Sequence, residues 1–458
     1  MEDMLRAAVD RMTSEGVEFC DAKYQVLKET SVRVVDASVR TLTEQSLGGM
    51  CFRARVGGSW GCSTTVELDK RTILESCLQA AKNAKLGGAK GTRIPDMPSK
   101  NRQVRVDVRI HTDSVPIEEK LAYVVDLDKA QKVDPRVVNS NSDYRDEVRT
   151  NLLVNSFGSS LKWEEVRVRL MAFPVVSGDG HQEMYFEIID GTKGFELIKE
   201  KDVMAMGKYA GEEAVKMLGA KKPPSGFMTC ISDPKISGTL AHEVMGHASE
   251  ADEIVKKRSF LTGAVGKRVA SDQITMVDDG TIKGAFGTIP FDDEGTPSSR
   301  TVIIRDGIYK GYLQDLETSA EMRVAPTGNG RAQDFGRRIW VRMTNTFFEA
   351  GDWTLEEMIE GVKHGVLADK SMSGMEDPVG GGFEAKTLRG FIIENGRITD
   401  MIRSFTLTGS ALEILKTTDA VGDKVQLDGG ICGKGIEDFV PVTSGGPYCR
   451  SKLVVGGG

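Results

Sequence analysis

The sequence predicts an α+β protein: N-terminal helix–meander–helix units followed by a β-rich C-terminal domain of mainly antiparallel sheet. Three observations lead there. In the first half, apolar residues at helical spacing alternate with long stretches of period-two pattern. In the second half, Asp306-Gly307 and Asn395-Gly396 each sit between apolar runs, the strongest short signal for a β-hairpin. Nowhere does the order strand–helix–strand recur as a parallel α/β sheet requires.

Taken in order, Leu5, Ala8, Val9 and Met12 form one face of a first helix. Phe19 to Thr65 reads as a strand meander. A second helix is expected over Leu68–Ala84, with Ile73, Leu74, Cys77, Leu78 and Ala81 as its apolar stripe. Gly, Pro, Lys and Arg dominate from Gly87 to Ser114, a candidate crossing segment. A helix begins near Pro116 with Leu121, Val124 and Val125 inward, strands fill Val137 to Ile189, and one helix runs from about Leu197 to Leu218. The segment Ala220-Lys221-Lys222-Pro223-Pro224-Ser225-Gly226 is the clearest boundary. The expected domains are therefore 1–95, 112–220 and 225–458. Within the last, a single helix is expected, opened by the capping box Thr354-Leu355-Glu356-Glu357.

Composition narrows the function. A formal net charge of −7 and 6% aromatic residues argue against a nucleic-acid-binding surface. No apolar run is long enough to span a membrane, and Met1-Glu2-Asp3-Met4-Leu5 is unlike an export signal. Seven Cys in so long a chain read as reduced thiols, so cytoplasmic residence is the expectation.

The chemistry concentrates in His242-Glu243-Val244-Met245-Gly246-His247. Zinc takes imidazole, thiolate and carboxylate ligands, and a catalytic site keeps one position for water. In the common peptidase arrangement the two His stand four residues apart on a helix, with Glu beside the first as general base. Here the gap is five. At about 100° per residue, five steps leave the imidazoles about 140° apart on a regular helix, against about 40° for four. Both reach one metal only if the helix widens, so a π-type turn or a break is expected at Val244–His247, with Gly246 easing the distortion.

The third ligand stays open on residue chemistry alone. Glu250 lies three residues beyond His247. Cys432 lies in Gly429-Gly430-Ile431-Cys432-Gly433-Lys434-Gly435, where glycines permit close approach and Lys434 favours thiolate. Cys449 is a distant further choice. Asp292-Asp293-Glu294 reads equally as a solvated acidic turn or as a receptor for a cation or a peptide amino end.

With these residues in hand, Leu240 to Asp252 resembles the signature of the TldD branch of the PmbA/TldD metallopeptidase family. Asp292-Asp293-Glu294-Gly295, Asp306-Gly307, Arg342-Met343-Thr344-Asn345-Thr346, Met375-Glu376-Asp377-Pro378 and Cys432-Gly433-Lys434 follow in family order. The resemblance implies one zinc ion per subunit on His242, His247 and Cys432, with Glu243 activating water and Glu250 and Lys434 in support. It implies hydrolysis of peptides or unfolded protein segments, and a homodimer or a heterodimer with a PmbA/TldE-type paralogue. The alternative is a non-catalytic adaptor, gyrase-modulator-like, with a structural metal. Two departures border the site: Ala248-Ser249 replaces the usual Gly-Leu, and Gly435-Ile436-Glu437-Asp438-Phe439 replaces a usual Gly-Gln.

Overall fold

The computed structural model describes residues 1–88, 91–94, 97–435 and 438–456. The first helix, Glu2–Ser14, buries Leu5, Ala8, Val9 and Met12 as their spacing requires. The second spans Lys70–Leu86, because Asp69 accepts from Arg71 N and Thr72 N and so sets the start two residues later than expected. Its buried stripe is Ile73, Cys77, Ala80, Ala81 and Ala84, whereas Leu74 is 42% exposed. The stripe is turned towards small residues because the strand Ser59–Thr65 lies close. A Cβ at Gly61 would stand 2.1 Å from the backbone nitrogen of Ala84.

The two helix–meander–helix units do not build separate sheets. Strand Phe19–Val35 pairs antiparallel with Ser38–Val56 on one side and with Asn141–Asn155 on the other, from Asp21↔Asn155 to Val35↔Asn141. Strands of both units thus form one seven-stranded sheet. Glu2–Ser14 and Lys70–Leu86 share one core on it, and Ile117–Ala130 and Val203–Met217 contribute to another. The single helix expected over Leu197–Leu218 is broken in two, Glu196–Lys199 and Val203–Met217, where Asp202 recaps the chain by accepting from Ala205 N.

Beyond the boundary lie a second seven-stranded sheet and a six-stranded one. One contains Gly226–Ser232, His364–Asp377, Gly382–Glu394, Thr406–Ser410, Ala420–Val421 and Cys449–Gly456, with Arg397–Ile402 paired to Gly382–Glu394. The other contains Met276–Asp279, Arg300–Arg305, Ile308–Tyr309, Asn345–Phe348, Gln426–Lys434 and Asp438–Gly446. Their pairings are antiparallel apart from Gly226–Ser232 with His364–Asp377 and Asn345–Phe348 with Asp438–Gly446. Both hairpins form as read, with positive φ at Asp306, Gly307, Asn395 and Gly396.

The expectation of a single C-terminal helix is corrected. Thr354 does open Leu355–Glu360 with a capping box, but Pro234–Thr239, Ala251–Val255, Leu316–Met322 and Ala411–Thr417 are helical too. Each has five to seven residues, too few to show a periodic stripe. Pro234–Ser249 runs between the two sheets. Its Ile236, Leu240, Ala241, Val244, Met245 and Ala248 share a core with Val366 and Ala368 of one sheet and Met276, Phe348, Val440 and Val442 of the other. Among the described residues no helix is long and apolar enough to cross a membrane.

Candidate metal centre

The site starts from the cap of a short helix. Asp233 accepts from Ile236 N at 2.8 Å and from Lys370 N at 3.0 Å, tying the start of Pro234–Thr239 to the neighbouring strand. Gly238 lets this helix press against the second sheet, since a Cβ there would stand 2.4 Å from Gly445 N. The helix then widens into a π turn over Leu240–Gly246 and tightens to a 3₁₀ turn at His247–Ser249. The widening starts four residues earlier than the expected Val244 and is closed by His247 N–H donating to the carbonyl of His242. Gly246 has ordinary helical angles, φ −63 and ψ −61, so it does not ease the backbone. It is small because Met343 packs on it; a Cβ would stand 2.1 Å from Met343 Sδ.

The widened turn brings the imidazoles together, their centroids 4.9 Å apart and their planes at 83°. Cys432 reaches both. His242 Nε2 is 3.1 Å and His247 Nε2 3.3 Å from its sulfur, and all three residues are buried. Cys432 stands in strand Gln426–Lys434, directly opposite Val440 of Asp438–Gly446. Cys449 is not among these ligand groups; its sulfur sits 3.7 Å from the carbonyl of Pro447, and burial pushes its thiol up to about 12.

Burial opposes charge at Cys432, yet the two imidazoles beside it hold the thiol well below its ordinary value. Burial likewise opposes protonation of both His, and the facing sulfur outweighs it, raising His242 and lifting His247 well above the usual imidazole range. Lys434 does not serve the sulfur directly. Its Nζ donates to Glu250 at 2.8 Å, Asp252 at 2.7 Å and the carbonyl of Val341 at 3.1 Å. Glu250, fully interior, takes His247 Nδ1 at 3.3 Å. Burial would raise its carboxyl, but Lys434 and His247 hold it down to about 2. It is an orienting partner for His247 rather than a member of the converging set.

Glu243 lies beside this group, its Oε2 4.0 Å from His247 Nε2. Strand His364–Asp377 lines its far side, where a Cβ at Gly374 would stand 2.7 Å from Glu243 Cγ. The same strand carries Glu376, whose carboxyl joins Glu243 and His247 in a second potential ligand group. Burial and the bond to Glu243 push Glu376 up to about 7. Nothing in the local pattern around Glu376 signals a partner more than 130 positions away, so its place beside Glu243 is visible only in the fold.

The acidic cluster is neither a solvated turn nor an open receptor. Asp293 is paired with Lys23, and Glu294 accepts from Arg53 at 2.9 Å and from Leu316 N at 2.7 Å. Asp292 takes the backbone N–H groups of Glu294, Thr296 and Gly330. The cluster locks the C-terminal region onto the first sheet. Of the departures from the family pattern, Ser249 is buried and accepts from the Tyr309 hydroxyl at 2.9 Å, while Ile436 and Glu437 lie outside the described residues.

The donor set suits zinc. Two imidazole nitrogens and a thiolate converge within 4.8 Å, and tetrahedral zinc bonds of about 2.0 and 2.3 Å imply nitrogen–sulfur separations of about 3.5 Å, close to those present. The orienting carboxylate behind His247 is what a metal-binding imidazole ordinarily has.

The chain is similar to known proteins over nearly its whole length. Residues 20–84, 110–218 and 225–457 match, in order, PmbA/TldA metallopeptidase domain 1, central domain and C-terminal domain. The chain is 33% identical over 446 residues to a metalloprotease of Methanothermobacter thermautotrophicus, covering 97% of this chain and 96% of that one. It is 25% identical over 449 residues to a zinc metalloprotease TldD homolog of Saccharolobus solfataricus, covering 96% and 97%. The crystal structure of TldE from Thermococcus kodakarensis superposes with a TM-score of 0.80 at 18% identity, over 99% of this chain and 100% of that one.

Proposed function

The chain belongs to the PmbA/TldD metallopeptidase family, and from that premise we propose that it is a zinc-dependent peptidase whose metal is held by His242, His247 and Cys432, with Glu243 as general base. The observation that carries this reading is the approach of one buried sulfur to both imidazole Nε2 atoms, 3.1 and 3.3 Å away, with a carboxylate alongside. A site built only to hold structure has no use for Glu243 at that position. Bound zinc supplies Lewis acidity, lowering the pKa of a water towards about 7 and polarising the scissile carbonyl.

The chain's own groups do the rest. Glu243 takes the proton of the attacking water and passes it to the leaving amine. Glu250 accepts from His247 Nδ1, which leaves Nε2 directed at the sulfur side. Burial of all three ligands keeps bulk water from competing with the polarised groups. Substrates are peptides or unfolded segments that add as a strand to a nearby sheet edge. Gln426–Lys434 ends its sheet and carries Cys432, so a chain laid along its outer edge passes the site. Backbone pairing of this kind gives little sequence preference. A complex with a peptide inhibitor held by side chains alone would contradict it.

We further propose cytoplasmic residence and assembly with a second copy or with a TldE-type chain, measurable as the mass of the native particle. The test of the function itself is Glu243→Gln. On the peptidase reading it abolishes hydrolysis and leaves zinc bound. If the protein's activity survives Glu243→Gln and is lost only in His242→Ala, the metal is structural and the adaptor reading takes its place.

A further inference from the structure

Arg342 is among the largest fully buried side chains of the molecule. It follows the short strand Trp340–Val341, and its backbone N–H is held by the carbonyl of Asn329 at 2.8 Å. A guanidinium in such a place ordinarily answers a carboxylate in close contact, since a buried charge without compensation is costly. This one spends its terminal donors elsewhere. Nη2 donates to the carbonyl of Cys432 at 2.7 Å, and Nη1 to the carbonyl of Asp438 at 3.1 Å. Cys432 and Asp438 belong to opposite strands of one hairpin, in which Cys432 faces Val440 and Lys434 faces Asp438. The fork therefore spans the hairpin that presents the sulfur.

Its third donor looks the other way. Nε lies 3.9 Å from Glu250 Oε1, and neither atom has a hydrogen-bond partner among the described residues. The other oxygen of that carboxylate receives His247 Nδ1 and Lys434 Nζ. Lys434 stands two residues beyond Cys432 on the same strand. One guanidinium thus joins the backbone of the sulfur-bearing residue to the carboxylate that orients an imidazole.

We infer that Arg342 is a positioning residue of the metal centre, clamping the Cys432 hairpin against the Glu250–His247 side so that the sulfur stays within reach of both imidazoles. The inference rests on the reading of His242, His247 and Cys432 as zinc ligands. It explains why arginine stands there: a planar fork reaches two carbonyls at once while its Nε stays within ion-pair distance of a carboxylate, which the single ammonium of lysine does not do. Arg342 touches neither water nor substrate in this account and acts only through Cys432 and Glu250.

The test uses the full-length chain and cobalt as a reporter. Cobalt bound to wild type should give a thiolate-to-cobalt charge-transfer absorption that Cys432→Ser removes; if wild type gives none, the ligand reading fails and the inference with it. Given that band, Arg342→Met with wild-type circular dichroism should bind zinc about 10–100-fold more weakly in competition with a chromogenic chelator. Its charge-transfer band should shift or weaken, which a residue that merely filled space would not cause. Arg342→Lys should fall between. A folded Arg342→Met with wild-type zinc affinity and an unchanged band overturns the inference while leaving the ligand assignment standing. Should Arg342→Met fail to fold, Arg342→Lys decides by the same two readouts: weaker binding with an altered band supports the inference, and wild-type values overturn it.

Discussion

The backbone N–H of His247 donates to the carbonyl of His242, so the two imidazole-bearing residues themselves close the wide turn of the helix. That single bond lets two imidazoles five residues apart face one point, because it replaces the rotation of a regular helix by a turn that sets the rings 4.9 Å apart.

The turn is packed as tightly as it is wound. Gly246→Ala should lower thermal stability by about 1–3 kcal/mol, since its methyl group would enter the volume of Met343 Sδ. In a Met343→Ala background, where that volume is vacated, the same substitution should cost less than it does in wild type. Equal and additive effects in the two single variants and the double variant would show that the contact does not limit this position.

Glu243→Gln should reduce hydrolysis at least about 100-fold with little change in zinc content. The substitution keeps the volume of the side chain and removes the proton acceptor. Metal analysis and turnover are to be measured on one preparation, and loss of zinc together with activity would count against Glu243 as base.

Glu250→Gln should weaken zinc binding by about 10–100-fold, by depriving His247 Nδ1 and Lys434 of their shared carboxylate. Chelator competition measures it. Unchanged affinity would remove Glu250 from the account.

Much of this is legible in the sequence alone, and what is not has identifiable causes. The stripe Leu5, Ala8, Val9, Met12 and the two hairpin turns are local signals, and the structure contains them as read. The union of the first two units into one sheet depends on Phe19–Val35 pairing with Asn141–Asn155, over a separation that no local pattern encodes. The same holds for Glu376 beside Glu243 and for Arg342 beneath Cys432. The acidic run Asp292-Asp293-Glu294 carries no local sign of its role, because its partners Lys23 and Arg53 lie in another part of the chain.

That acidic run also sets a pH dependence. Burial, with Asp315 nearby, outweighs Arg53 and pushes Glu294 from 4.5 up to about 7. Below pH 4.5 folded and unfolded chains both hold this proton. Between 4.5 and about 7 only the folded chain holds it, so this group's contribution to stability falls as pH rises through that window. Glu294→Gln should abolish this component. Urea midpoints of the variant and wild type, compared across the window, should diverge in the variant's favour as pH rises, and parallel curves would contradict the assignment.

The central claim is tested most directly by measuring zinc content and peptide hydrolysis on the same purified protein, before and after a chelator and again after zinc is restored. One zinc per chain, with activity that leaves with the metal and returns with it, is the predicted result. A protein that binds no stoichiometric metal and cleaves no peptide once zinc is supplied would contradict it.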